Sequence, residues 1–219
     1  MSNKPERLVI GVSGASGVIY AIRLLQVLRD VENIETHLVI SNSAKQTVLL
    51  ETDYSVEYVE ALATRVYRFN DVAAAISSGS FKTRGMVVVP CSMKTLSSIA
   101  HSFGENLLSR AADVTLKEHR RLVLVPRETP LHLGHLRLLT AVAELGAIVV
   151  PPMPAFYHRP QTIDDIVNQT VNRVLDLLDI ELSHDLFTRW TGPQTRSVAR
   201  LNGQQQHAPA QVSDDSNDE

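Results

Sequence analysis

The sequence feature that most constrains the fold is a strand-like run, a turn of small residues and a helical run in immediate succession. Leu8 to Val12 is apolar and β-branched, which is typical of a buried strand in a parallel sheet. Ser13 to Gly17 contains only small residues, and the helical run begins at Ile19. In such a unit, amide N–H groups and the helix dipole point into the turn, so the stretch predicts an anion site.

The turn departs from the fingerprint of dinucleotide-binding proteins. That fingerprint, G-x-G-x-x-G, requires a glycine two residues before Gly14, where this chain has Val12. It also requires an acidic residue after the second strand to bind a ribose hydroxyl. The second predicted strand, Thr36 to Ile40, is followed by Ser41, and a hydroxyl suits a phosphate better than a ribose. If the turn is considered by itself, an alternative interpretation is that its glycines only allow a tight turn between strand and helix and bind no ligand.

Composition excludes several classes of protein. The chain has 219 residues, 44% hydrophobic and 21% charged, which fits one globular domain with a sizeable core. Its net charge of −3 gives no electrostatic support for nucleic-acid binding. The N-terminal residues lack the apolar segment of a signal peptide, and no apolar run is long enough to span a bilayer. We therefore expect a cytoplasmic protein with no membrane span.

Strands and helices alternate along the chain, which predicts a three-layer α/β/α fold of flavodoxin/Rossmann-like type with a mostly parallel sheet. We expect one domain over residues 1–191, followed by a polar, disordered tail over 192–219. Further strands are predicted over 65–69, 85–90, 122–126 and 147–150. Further helices are predicted over 42–50 and 55–63, after Thr95 in the stretch that carries Leu96, Ile99 and Ala100, over 107–118 and 133–145, and from 163 onwards. Pro151 to Pro154 fits neither element and is predicted to be a stiff arm.

Polar residues follow the predicted strands at the edge where such sheets bind ligands. Three of the strand exits carry hydroxyls and the fourth carries a guanidinium beside a carboxylate: Ser13–Ser16, Ser41, Cys91–Thr95 and Arg127–Glu128. The exits contain neither a Walker lysine motif nor a cluster of metal ligands. The sequence therefore predicts a pocket for a phosphate and a polar ring, with no required metal.

Four other side chains have an ordinary interpretation beside a functional one. Cys91 is the only cysteine, and a thiol at a strand exit is usually a buried small residue rather than a nucleophile. His132 and His135 have a spacing that can bind metal, but without a third ligand nearby packing and helix capping are favoured. Arg173 flanks the apolar stripe of its helix and, on spacing alone, is a solvated surface residue.

Several blocks of the sequence resemble one known family, the UbiX-like flavin prenyltransferases. The blocks follow the family's order from about residue 7 to Trp190: Ser13–Gly17, Ile76–Phe81, Pro90–Leu96, Arg110–Glu118, Val125–Leu131 and Pro151–His158. One small departure is His119, which stands where an arginine is common. The resemblance implies flavodoxin-type subunits assembled as homo-dodecamers.

The resemblance also implies an activity. Members of the family transfer a dimethylallyl group from dimethylallyl phosphate to reduced FMN, and the prenylated FMN serves a UbiD-type decarboxylase. The pathway that uses the product, ubiquinone biosynthesis or aromatic-acid catabolism, stays open. Three alternatives stay open as well: a flavin-dependent decarboxylase of the same fold acting on cysteine-derived substrates, a direct aromatic-acid decarboxylase, and a non-enzymatic FMN carrier.

Site residues follow from the resemblance position by position. It implies that FMN is bound by Gly14, Ala15, Ser16, Ser41, Ser92, Met93, Lys94, Thr95 and Arg127. It implies that dimethylallyl phosphate is bound by Tyr157, Arg173, Arg110 and Lys117, and that Ser16, Glu51, Lys117 and Glu128 are catalytic. The chemistry agrees with these residue types, because cations and hydroxyls stabilise a departing phosphate dianion. Ser16 is then a candidate proton relay, and Glu128 or the released phosphate a candidate base.

Overall fold

The computed structural model describes residues 5–192, and the residues up to Arg189 form one compact unit. Apolar runs of five to seven residues alternate with amphipathic stretches, and each becomes a strand or a helix accordingly. The strands are β1 (Glu6–Val12), β2 (Ile34–Ile40), β3 (Arg65–Tyr67), β4 (Gly85–Cys91), β5 (Arg121–Pro126) and β6 (Ile148–Val149). The helices are α1 (Ile19–Arg29), α2 (Asn42–Glu51), α3 (Val56–Ala61), α4 (Met93–Ala100), α5 (Leu107–Lys117), α6 (Leu133–Glu144) and α7 (Ile163–Leu177), with a short 3₁₀ turn at Ala75–Ser77.

The six strands form one parallel sheet in the order β3-β2-β1-β4-β5-β6. β3 is a three-residue edge strand, and the remaining five have the order found in flavodoxin. The order reverses between β1 and β4, where Gly11 pairs with Val88. The predicted parallel α/β fold is confirmed.

Two apolar cores cover the two faces of the sheet. One packs α1, α2, α3 and α7 against Ile10, Leu38 and Val87, and the other packs α4, α5 and α6 against Val9, Met86 and Val88. All seven residues of β4 are buried, as the continuous apolar run predicts for a central strand. Alternate side chains of a strand point to opposite faces, so both layers of helices are anchored to the same central strands.

Predicted and observed elements differ by a few residues at most. The edge strand predicted over 65–69 ends at Tyr67, and the last core strand is confined to Ile148–Val149. The proline arm, taken from here on as residues 151–156, pairs with no strand in the described structure, as predicted, and exposes Met153 and Phe156. Apart from Gly192, the predicted polar tail lies outside the described residues. No helix within residues 5–192 is long and apolar enough to cross a membrane.

Candidate active site

A cleft of about 200 Å³ opens at the carboxyl edge of the sheet, beside the point at which the strand order reverses. Open α/β sheets bind ligands at this position. The lining residues come from the exits of β1 to β4, from α4 and from the start of α5: Ser13, Gly14, Ser41, Asn42, Ser43, Phe69, Ser92, Lys94, Thr95, Ser98 and Asn106. Five of them, Gly14, Ser41, Ser92, Lys94 and Thr95, belong to the predicted FMN set.

Ser13 joins the two strands that border the reversal. Its hydroxyl donates to the carbonyl oxygen of Pro90 over 3.0 Å and accepts from the amide of Ser92 over 2.8 Å. The side chain is only 2% exposed. The exits of β1 and β4 are therefore fixed relative to each other by one buried hydroxyl, which sets the shape of the cleft floor.

Two helices begin at the cleft, and each is capped by a hydroxyl that follows a strand. Ser41 Oγ accepts from the amide of Ala44 at the start of α2, and Ser92 Oγ accepts from the amide of Thr95 at the start of α4. The remaining N-terminal amides and both helix dipoles favour an anion in the cleft. Of the described lining residues, Lys94 alone carries a charge. This donor set fits the phosphate of FMN.

The turn after β1 approaches α2 closely. A Cβ at Gly14 would overlap Ser43 Oγ and Cβ and would lie 3.2 Å from the Ser43 backbone carbon. At the far end of the turn, the amide of Gly17 donates to Glu51 Oε2 over 2.8 Å. Glu51, a predicted catalytic residue, therefore fastens the end of α2 to the turn that carries Ala15 and Ser16.

The exit of β5 lies next to that of β4. The amide of Arg127 donates to the carbonyl oxygen of Cys91 over 3.2 Å, so the Arg127–Glu128 pair follows the strand that borders the cleft. Both side chains are exposed, and Glu128 Oε1 accepts from the amide of Thr129. The predicted FMN residue Arg127 and the predicted base Glu128 thus share the carboxyl edge with the turn.

The predicted donor-binding residues are not gathered at this cleft. Tyr157 is exposed directly after the proline arm, which leaves the carboxyl edge after β6. Arg110 lies in the first turn of α5 and pairs with Asp113. Lys117 and Arg173 each stand ten residues into a helix that runs away from that edge, which is about 15 Å along the helix axis. Within one chain, these two cations lie towards the amino edge of the sheet.

Burial accounts for the cysteine, and helix capping accounts for one of the two histidines. Cys91 is fully buried, and burial raises the pKa of its thiol to about 12. His132 caps α6 by accepting from the amide of Gly134, and its ring lies 3.7 Å from that of His135. Among residues 5–192, no group of three or more histidine, cysteine, aspartate or glutamate side chains is arranged to hold a metal.

Sequence reasoning missed several residues that line the cleft. Asn42 and Ser43 directly follow Ser41, and Phe69 follows the edge strand β3, so the rule about strand exits applied to all three. Asn106 caps α5 and forms a capping box with Ser109, a pattern that sequence spacing alone indicates. Ser98 lies one turn into α4, and only the packing of that helix reveals its position.

Comparisons with known proteins agree with this geometry. A model of the flavoprotein family matches residues 1–175. The flavin prenyltransferase UbiX of Escherichia coli is 65% identical over 187 residues, which is 85% of this chain and 99% of that protein. A UbiX crystal structure in complex with FMN and dimethylallyl pyrophosphate aligns at a TM-score of 0.83 with 49% identity, covering 87% of this chain and all of the other.

A second solved structure is similar over the same region. It is a dodecameric FMN-dependent UbiX-like decarboxylase from Escherichia coli, with a TM-score of 0.81 and 51% identity over 85% of this chain and all of that one. Since the family model and the 65% identical relative both cover most of the sequence, the chain belongs to the flavoproteins and, within them, to the UbiX flavin prenyltransferases.

Proposed function

We propose that this protein transfers a dimethylallyl group from dimethylallyl phosphate to reduced FMN. The observation that carries the proposal is the cleft at the reversal of strand order, where the capped starts of α2 and α4 meet Lys94. It is an anion site built without an acidic ribose-binding residue, which favours a mononucleotide over a dinucleotide. The high identity to UbiX enzymes supplies the reaction.

Each proposed FMN residue has a role that its position allows. Ser41 and Ser92 present helix N-terminal amides to the phosphate, and Lys94 adds a positive charge at the same cleft. Gly14, Ala15 and Ser16 form the wall made by the turn, while Met93, Thr95 and Arg127 border the exits of β4 and β5. Reduced FMN, when bound, supplies the nucleophilic nitrogen that accepts the dimethylallyl group.

The donor subsite is completed by another copy of the chain. Lys117 and Arg173 lie about 15 Å along their helices from the carboxyl edge, too far to meet the cleft of their own chain. The exposed arm, with Met153 72% and Phe156 71% exposed, offers an apolar surface for such a contact. A homo-oligomer, a dodecamer as in the similar structure, brings the two halves of the site together.

In that assembled site, the protein's main task is to stabilise a leaving group. The allylic carbon–oxygen bond breaks, and the phosphate departs as a dianion facing Lys117, Arg173, Arg110 and the Tyr157 hydroxyl. Charge-assisted contacts of this kind are stronger than neutral hydrogen bonds and act on charge as it develops. Glu128 or the released phosphate accepts the proton that the acceptor nitrogen loses as it bonds to the allylic carbon, and Ser16 relays that proton to the phosphate.

Glu51 also has a structural part in the proposed site. It keeps the turn in place through Gly17, so its part in catalysis includes holding Ser16.

The proposal extends to the product and to the compartment. The product passes to a UbiD-type decarboxylase. The protein acts in the cytoplasm, and its single free cysteine agrees with a reducing compartment.

The test is direct detection of the product. The protein is incubated anaerobically with reduced FMN and either dimethylallyl phosphate or dimethylallyl pyrophosphate, and the flavin is extracted for mass and absorbance measurement. We expect a flavin heavier by one dimethylallyl unit, formed faster from the monophosphate, and independent of added magnesium. Unchanged FMN from both donors, with FMN bound tightly, would instead identify a carrier.

A second candidate function is direct decarboxylation, because one of the similar structures is described as a decarboxylase. Carbon dioxide release from an aromatic acid by this protein alone, with no partner decarboxylase present, would favour that function over prenyl transfer.

A further inference from the structure

Two stretches that the proposed function does not connect meet at the amino edge of the sheet. Ser78 to Phe81 precede β4, and Lys117 to Arg120 join the end of α5 to β5. β4 and β5 are neighbouring parallel strands, so the segments before them lie side by side. We call Gly79, Lys117, Glu118 and Arg120 the Lys117 cluster.

Glu118 stands at the centre of the Lys117 cluster. Its Oε1 accepts from Lys117 Nζ over 2.7 Å, and its Oε2 lies 3.7 Å from Arg120 Nη2. Arg120 in turn donates to the carbonyl oxygens of Gly79 over 2.6 Å and Phe81 over 2.9 Å. Arg120 is only 15% exposed, so the carboxylate is held against a guanidinium that the neighbouring loop fixes.

The loop leaves room for this carboxylate only because residue 79 has no side chain. A Cβ at Gly79 would overlap Glu118 Oε1 and would lie 2.6 Å from Glu118 Cδ and 3.0 Å from Lys117 Nζ. Any side chain there would therefore move the carboxylate and the ammonium group together.

The charge state of Glu118 suits a fixed acceptor. The hydrogen bond from Lys117, with the charges of Lys117 and Arg120, lowers the pKa of the Glu118 carboxyl. Glu118 therefore stays ionised at neutral pH and keeps accepting from Lys117. A lysine has a long, flexible stem, so binding an anion normally costs the free energy of restricting its rotamers. A contact that already holds the ammonium group in one place reduces that cost.

We propose that Glu118, held by Arg120 and accommodated by Gly79, is a positioning residue that orients the Lys117 ammonium group towards the phosphate of the prenyl donor. The inference rests on the proposed function, in which Lys117 contacts that phosphate. Glu118 itself touches neither donor nor flavin. Its contribution is the preorganisation of Lys117, so it acts on donor use and leaves FMN binding alone.

The test compares Glu118→Gln with Glu60→Gln. Glu60 is a matched control, because it pairs with Lys45 over 2.7 Å at similar exposure and lies on α3, outside the proposed site. We expect Glu118→Gln to raise the donor KM about two- to tenfold, the range for freeing one lysine side chain. FMN affinity and the melting temperature should match those of Glu60→Gln. A donor KM that stays unchanged or falls would overturn the proposal.

A double-mutant cycle shows whether the effect passes through the carboxylate. In the wild-type background, Gly79→Ala should raise the donor KM as Glu118→Gln does. In a Glu118→Ala background, the overlap with the carboxylate is gone and Lys117 Nζ is no longer held 3.0 Å from a Cβ at residue 79, so Gly79→Ala should add nothing. If the two effects instead multiply, Gly79 acts independently of Glu118 and the proposal is wrong.

A readout that needs no activity separates this proposal from the proposed function. Lysines carrying ¹³C-methyl groups report the surroundings of each amine by NMR. We expect Glu118→Gln to shift the Lys117 signal and Glu60→Gln to leave it in place. If wild-type protein makes no prenylated flavin while the Lys117 signal shifts, the proposed function fails and the Glu118–Lys117 contact stands. If the signal does not shift, the positioning contact itself is refuted.

Discussion

Replacing Ser13 by alanine tests whether one buried hydroxyl fixes the floor of the cleft. Ser13→Ala removes the acceptor of the Ser92 amide and the second donor to Pro90. The Pro90 carbonyl still accepts from the Ser13 amide over 3.2 Å, so the Ser92 amide is the group left without its partner. The substitution therefore removes two hydrogen bonds but leaves one donor without a partner, the Ser92 amide at the start of α4.

The expected cost follows from that one orphaned donor. A buried polar group without its partner costs about 1–3 kcal/mol, and since the Ser92 contact is only partly buried we expect about 1–2 kcal/mol. For a chain of this size, that is a fall in melting temperature of roughly 2–8 °C. Because Ser92 caps the helix whose start lines the cleft proposed for the FMN phosphate, FMN affinity should fall as well.

The assay is thermal and urea unfolding of the FMN-free protein at one fixed concentration, since an oligomer's stability depends on concentration. Ser98→Ala is the matched control: this serine also lines the cleft, but its hydroxyl donates to the Lys94 carbonyl within one helix. We expect Ser98→Ala to stay within about 0.5 kcal/mol of wild type. If Ser13→Ala and Ser98→Ala unfold at the same temperature and the same urea concentration, the hydroxyl of Ser13 does not fix the two strands and the reasoning is refuted.

Three other predictions can be checked on the same protein. Because burial raises the pKa of Cys91 to about 12, a thiol reagent at neutral pH should label it only after unfolding; rapid labelling of native protein would contradict the burial. Burial lowers the pKa of His37 below 6.5, so the imidazole binds a proton more readily in the unfolded chain than in the folded one. The free energy of unfolding should therefore fall as the pH drops below 6.5. In urea titrations from about pH 7 to about pH 5, His37→Gln should flatten that dependence. Arg173→Ala should leave FMN affinity intact and reduce donor use about thirtyfold or more, and Arg173→Lys should recover part of the lost donor use. Ser92→Ala should instead weaken FMN binding. Separate titrations of FMN and donor would show the opposite pattern if the two subsites were exchanged.

The order of elements could be predicted from the sequence because its apolar runs are short, β-branched and bounded by turn residues. Gly85 to Pro90 shows this clearly: a continuous apolar run had to be a central strand, and every residue of β4 is buried. The cleft could be located in the same way, since parallel strands carry ligands at their carboxyl ends. Ser41 and Ser92 cap helices there as their types and positions indicate.

Other features depend on packing that no local pattern encodes. The hydrogen bonds of the Ser13 hydroxyl require β1 and β4 to be neighbours, although 77 residues separate Ser13 from Pro90. The positions of Lys117 and Arg173 follow from the length and direction of their helices, so a residue-by-residue resemblance named them without showing that they lie far from the cleft of their own chain. The overlap at Gly79 appears only when two segments are placed side by side.

Co-expression of two inactive variants tests most directly whether one copy's cleft works with another copy's cations. Gly14→Val should destroy the cleft by overlap with Ser43, while Arg173→Ala should leave the cleft intact but remove the proposed phosphate contact. In randomly mixed oligomers, about a quarter of the sites combine an intact cleft with an intact arginine. We predict that the mixture forms prenylated flavin at about that fraction of the wild-type rate. A mixture no more active than the sum of the two separate variants would show that each chain works alone.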